Sequence, residues 1–249
     1  MMQIPMGTIA GIALQAAFGL IAPAAMYLYL RKKTGCAQKP FWIGCLVMLV
    51  FALILEQNVH ALVLNSPTGA RIAASPVWMA LYGGAMAALF EEGGRFLAMK
   101  FLLKRGKDVR SAWMYGAGHG SFEAFALFTI AAVSNIACIV AVKSGSTEPA
   151  VLASVQALAA TPFWMFLIAL VERCAAICAQ ISMSVVMWFG VKRDKKWIFA
   201  AFAMHFALDA VSALLQTVLP VIVLEILICA IAVFYAVLAR SLQRKYESA

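Results

Sequence analysis

The sequence predicts an all-α membrane protein, a polytopic bundle of seven transmembrane helices. Three observations predict it. Hydrophobic residues make up 64% of the chain and charged residues only 12%, well outside the soluble range. The apolar residues fall in stretches of about 20 or more, enough to cross a bilayer core. The basic residues gather in every second connection between those stretches, which is how membrane topology is set. The net charge of +9 therefore reads as a topology signal, and no nucleic-acid partner is expected.

The spans follow in order. The first runs from about Ile4 to Leu30 and ends at Arg31-Lys32-Lys33; without a basic leader region, and longer than a signal-peptide core, it is expected to be retained. The second covers Phe41 to Leu64, the third Pro76 to about Leu103, the fourth Ala112 to Val142. The fifth runs from Pro162 to Val191, the sixth from Trp197 to Leu219, and the seventh from Val221 to Ala239, just after Pro220. The third, fourth and fifth exceed the minimum length, so tilts, kinks or protruding ends are expected. Between Lys143 and Thr161 the apolar stretch Val151–Ala160 suits a segment lying on the outer surface. No repeat, long linker or nucleotide-binding loop interrupts the chain. One integral membrane domain over 1–249 is expected, with a motif-bearing core at about 76–210.

Orientation follows from Lys and Arg. One set of connections carries Arg31, Lys32, Lys33 and Lys39; then Lys100, Lys104, Arg105, Lys107 and Arg110; then Lys192, Arg193, Lys195 and Lys196; and finally Arg240, Arg244 and Lys245. The alternate connections hold Arg71 and Lys143. The positive-inside rule then places the N-terminus outside and the C-terminus in the cytoplasm.

Ionisable residues inside apolar spans are costly and call for a partner or a function. Glu91, Glu92, His119, His205 and Asp209 lie in such spans. Glu91 is nine residues before Lys100, His119 nine after Arg110 and His205 nine after Lys196. At 1.5 Å per residue each lies roughly 13 Å from its basic end, so three separate helices bring a carboxylate and two imidazoles to one level. His205 and Asp209 are spaced i, i+4 on one helix face, as are Tyr115, His119 and Glu123. Asp209 is expected to orient the ring of His205 or to join it at the site. Arg95, three residues after Glu92 and four after Glu91, can neutralise one carboxylate while the other works. Gly116, Gly118 and Gly120 surround His119, and Gly93 and Gly94 follow the Glu pair; small residues there allow close helix approach or leave room for substrate.

In order, Glu91-Glu92…Arg95, Tyr115-x-x-x-His119 and His205-x-x-x-Asp209 resemble the motifs of the CAAX-protease and bacteriocin-processing superfamily of membrane proteases. Within it the sequence is most similar to the YhfC-like intramembrane metalloproteases. The resemblance covers about residues 76–210. It implies a multi-pass protein of a bacterial cell membrane that hydrolyses a membrane-associated peptide or protein. Arg95 follows Glu92 by three residues rather than the four of prenyl-protein proteases, a spacing similar to PrsW-type proteases, so no prenylated substrate is inferred.

Amide hydrolysis needs an activated water and donors for the oxyanion. Two routes suit these residues. In one, His119, His205 and Glu91 or Glu92 bind Zn²⁺, whose water becomes the nucleophile, with Asp209 behind His205; the resemblance favours this metal route. In the other, Glu91 or Glu92 activates water directly and the histidines stabilise the tetrahedral intermediate. Tyr115 reads as pocket wall, and Glu123 as either a further ligand or a helix-packing hydrogen bond.

Two other functions fit the same residues. A non-catalytic scaffold or chaperone would use the polar cluster as glue between helices, and a small proton-coupled transporter would use Glu and His as a relay. The absence of an inverted repeat speaks against the transporter. A second polar group, Glu56, Gln57, Asn58 and His60 with Glu172-Arg173, counts out nearer the outer side, and Glu172 with Arg173 reads as a neutralised pair or the lining of a substrate entrance. The six cysteines include no CxxC pair. Cys174-x-x-x-Cys178 reads as packing.

Overall fold

The computed structural model describes residues 3–104 and 108–247. Arg105 and Lys107 of the basic loops lie outside the described residues. The described chain forms nine helices, with no strand among the described residues: α1 (Met6–Thr34), α2 (Lys39–Leu64), α3 (Pro67–Ala73), α4 (Pro76–Leu102), α5 (Arg110–Lys143), α6 (Pro149–Ala160), α7 (Phe163–Lys192), α8 (Lys196–Leu215) and α9 (Val221–Glu247).

Local chemistry sets the boundaries. α1 stops at Gly35, whose φ of 65° lets its amide turn back to the Arg31 carbonyl at 3.0 Å. Ser66 caps α3 by accepting from the Gly69 amide at 3.0 Å, and Ser75 caps α4 from the Trp78 amide. A proline begins α3, α4 and α6, where its missing N–H would be unpaired anyway.

Six of these helices are long and apolar enough to cross a membrane, and the pair α3–α4, bent by 110° at its break, brings the number to seven. The protein is thus a multi-pass integral membrane protein; most spans agree with the sequence-derived ones to within a few residues, while α9 runs past the expected end at Ala239 and the third span counts together with α3. The connection expected at the surface folds as α6, and its Leu158 packs on Ile12, Ala132 and Phe166. The added length of α4 and α5 is taken up by wider, π-type turns at Ala88–Glu92, Ala98–Leu102 and Phe125–Ile130.

α7 is the central helix. Of its most apolar 18-residue stretch 72% is buried within the protein, against 17–28% for the five other single spans. It packs on α5, α8 and α9, while α2 lies on α5 and α4 on α8. Large apolar side chains such as Leu20, Val133 and Phe234 point outward; lipid, not water, is the solvent for such a surface. The basic ends meet at one side of the bundle: Lys192 Nζ donates to the Lys104 carbonyl at 2.8 Å, and Arg110 to that of Thr34 at 2.9 Å.

Glycine makes the contact between α2 and α5. A Cβ on Gly44 would lie 2.2 Å from the Tyr115 carbonyl oxygen, and one on Gly118 2.0 Å from that of Phe41. A Cβ on Gly116 would meet the Cα of Ile181 at 2.6 Å. The glycines around His119 therefore serve close approach rather than open space.

Candidate active site

Glu91 and Glu92 end the π-type turn Ala88–Glu92 in α4. A wider turn separates neighbours by a smaller angle than an α-turn does, so both adjacent carboxylates can face the bundle interior. Their surroundings differ. Glu92 is wholly buried, whereas Glu91 keeps 8% exposure and lines a cavity of about 120 Å³.

The Glu92 side is sealed. Arg95, also wholly buried, donates from Nη1 to Glu92 Oε1 and from Nη2 to Gln180 Oε1. His205 Nδ1 bonds the same Glu92 oxygen at 2.8 Å. Tyr115 is fully buried, its ring stacked on His119 with centroids 6.0 Å apart. Buried polar atoms here, Glu92 Oε2 and His119 Nδ1 among them, have no hydrogen-bond partner among the described residues. Unpaired buried groups are costly and gather where function keeps them.

The Glu91 side converges on one atom. Glu91 Oε2 lies 2.8 Å from His119 Nε2, 2.9 Å from Gln180 Nε2 and 3.8 Å from His205 Nε2. Asp209 Oδ2 stands 3.5 Å from His205 Nε2. The structure thus brings Glu91, Glu92, His119, His205, Asp209 and Arg95 into one cluster, the common level counted along the sequence.

The two carboxylates next to His205 take different sides. Glu92 holds Nδ1, and Nε2 faces Glu91 and Asp209, so Asp209 sits with His205 at the site. One oxygen of Glu92 is shared by Arg95 and His205, and Glu91 rather than Glu92 lines the cavity.

Gln180 was missed in the sequence. It is 95% buried, its carbonyl oxygen accepts from Arg95, and its amide donates to Glu91 and, at 3.1 Å, to Glu123. A signal was available: Gln180 is i+7 from Arg173 on the same helix, so the two share a face. Glu123 accepts from Arg173 Nη1 at 2.6 Å, and Arg173 Nη2 reaches Glu172 at 2.5 Å. Glu123 is therefore engaged by Arg173 and Gln180. The Glu172–Arg173 part of the outer polar group is thus joined to the first group in one network, Glu172–Arg173–Glu123–Gln180–Glu91. Glu56 is buried and bonds His60 at 3.1 Å, whose other nitrogen meets Tyr82 Oη at 2.9 Å.

The donor types of this cluster, imidazole and carboxylate, are those zinc selects. Their arrangement is not that of a metal site. Among the described residues no group of three or more His, Cys, Asp or Glu is placed to hold a metal ion. Glu91 Oε2 is already occupied by His119 and Gln180, and the outer nitrogen of His119, which would normally be hydrogen-bonded behind a metal-binding ring, has no partner.

Comparison with known proteins follows the same line. Residues 18–233 match the model of the YhfC intramembrane metalloprotease family. The chain is 31% identical over 245 residues to the uncharacterized membrane protein YhfC of Bacillus subtilis (strain 168), covering 92% of this chain and 95% of that protein. No solved structure matches. A seven-span layout, a Glu pair, two histidines on separate helices and this match over most of the length lead to one conclusion: the chain belongs to the YhfC intramembrane metalloprotease family.

Proposed function

We propose that the protein is an intramembrane endopeptidase that hydrolyses a peptide bond of a membrane-associated substrate, with Glu91 as its base. The observation that carries this reading is the convergence of His119, Gln180 and His205 on Glu91, the member of the Glu pair that lines the cavity. Glu91 takes a proton from a water as the water oxygen bonds the amide carbon. His205, carrying a proton on Nε2 and held through Nδ1 by Glu92, donates to the carbonyl oxygen as it gains charge. Glu91 then passes its proton to the amide nitrogen, and the carbon–nitrogen bond breaks. Arg95 balances Glu92, so that Glu91 is the carboxylate free to exchange a proton. No step is assigned to a metal, because the residues as arranged do not form its site. The Lys and Arg distribution supports an N-terminus outside the cell and a cytoplasmic C-terminus in a bacterial membrane.

The test is cleavage by full-length protein in lipid nanodiscs, with substrates found by comparing membrane peptides of cells with and without the protein. Glu91→Gln should lose at least about a thousandfold in kcat, as expected for removal of a base and its electrostatics together. Wild-type activity should survive a zinc chelator. Activity that disappears on chelation and returns with Zn²⁺ would transfer the activation of water to a metal held by Glu91, His119 and His205. Activity intact in Glu91→Gln would sink the reading.

A further inference from the structure

The cavity at Glu91 does not end there. It shares Glu172, Asp209, Ser212 and Ile228 with an open groove of about 570 Å³ between α7, α8 and α9. The groove opens where α8 turns into α9, at the end of the bundle opposite the basic loops. Glu225, four residues into α9, stands near this mouth. Glu172, nine residues into α7, lies deeper, and Asp209 stands beside His205 at the inner end. Carboxylates thus line the path from the mouth to the centre.

Their charge is only partly balanced from within. Among the described residues no Lys, Arg or His lines the groove. Arg173, at its inner end, is shared between Glu172 and Glu123. One oxygen of Glu225 is buried without a partner. Carboxylates in a low-dielectric wall are stabilised by a cation brought close to them. The chain as a whole carries +9 and would repel a cationic ligand, so attraction to this groove would be local. Its continuity with the centre and its volume of about 570 Å³, far more than an ion needs, suit part of a polypeptide segment rather than a small ion.

We propose that this groove is the substrate's entrance and that it selects a membrane polypeptide segment carrying a Lys or Arg near the end of its span, paired in the bound state with Glu225 and Glu172. The proposal rests on the peptidase reading for its consequence and on the groove alone for binding. It assigns Glu172 and Glu225 as specificity-determining residues that touch the substrate away from the scissile bond.

The test uses full-length protein in phosphatidylcholine nanodiscs and three labelled single-span peptides. They differ only in having Lys, Gln or Glu near both ends of the apolar stretch, so that insertion direction does not matter. The Lys peptide should bind at least about tenfold more tightly than the Gln peptide, and the Glu peptide more weakly than either. In Glu172→Gln/Glu225→Gln the Lys advantage should fall below about twofold. Glu225→Gln alone should reduce it partially, which covers the case of a double variant that does not fold. Equal affinities in the wild type, or a Lys preference that survives both substitutions, overturn the proposal. Hydrolysis is read in the same samples. Selective binding of the Lys peptide with no cleavage would sink the peptidase and leave the groove; cleavage of all three peptides at equal rates and affinities would sink the groove and leave the peptidase.

Discussion

Glu91 and Glu92 are neighbours of identical chemistry on one turn of α4, yet they occupy two different sites. Glu92 faces a sealed compartment with Arg95, Gln180 and the Nδ1 side of His205. Glu91 faces the cavity, with the Nε2 side of the same histidine. Environment, not residue type, divides them, as in other paired carboxylates. His205 is the shared wall, and each of its nitrogens reports one compartment. A sealed ion pair and a cavity-lining carboxylate thus stand back to back, and under the peptidase reading one would hold the geometry while the other exchanged protons.

The largest effect that would break this contrast is on stability. Glu92→Ala leaves the Arg95 guanidinium buried without its carboxylate, and breaking a buried pair in this way costs about 3–5 kcal/mol. Unfolding in detergent, followed by thermal or denaturant midpoint, should show that loss, whereas Glu91→Gln should cost less than about 1 kcal/mol because its shape and most of its hydrogen bonding are kept. Equal destabilisation by the two would mean that the compartments are one. His119→Ala separates the same alternatives from another side: a scaffold role predicts a collapse in folded yield, and the peptidase reading predicts lost activity in protein that still folds.

Next is Gln180, which joins the compartments. Gln180→Ala removes an acceptor from Arg95 and a donor from Glu91 and Glu123, at a cost of about 1–3 kcal/mol for the orphaned groups. If the amide holds Glu91 in place for catalysis, kcat should fall about ten- to a hundredfold with KM little changed, and the pH–rate profile should move with it. A change confined to stability would make Gln180 a packing residue.

The smallest effect belongs to a pair outside the membrane. Asp194, in the turn before α8, faces Lys196 at 2.9 Å on an exposed surface. Hydrogen bonds from the Lys196 side chain and backbone hold its carboxyl below the usual carboxylate range. A depressed folded-state value stabilises the fold above the unfolded value of about 3.8 and is lost as pH falls through the lower folded value. Asp194→Asn should therefore leave the unfolding midpoint unchanged at neutral pH within error, because exposed pairs contribute little, with any difference between variant and wild type vanishing in strong acid. The same ion-pair chemistry that is decisive at Arg95–Glu92 is nearly silent here, and solvent is the reason.

The sequence by itself determined the spans and the common depth of Glu91, His119 and His205. Those are properties of composition, charge placement and rise per residue, and all of them are local. It also carried the ordered motifs that mark the family. Only the tertiary structure decided which way each side chain faces and whom it meets. It put Glu92 rather than Asp209 behind His205, drew Gln180 into the centre, and joined Glu123, Arg173 and Glu172 to Glu91 across three helices. It turned the glycines near His119 into contacts with α2 and α7 rather than space. Depth is a count along one helix, whereas facing depends on the rotation and crossing of several, and on where a wider turn such as Ala88–Glu92 shifts the phase. A single sequence holds no local record of that phase, so partnership had to be read from the packed helices.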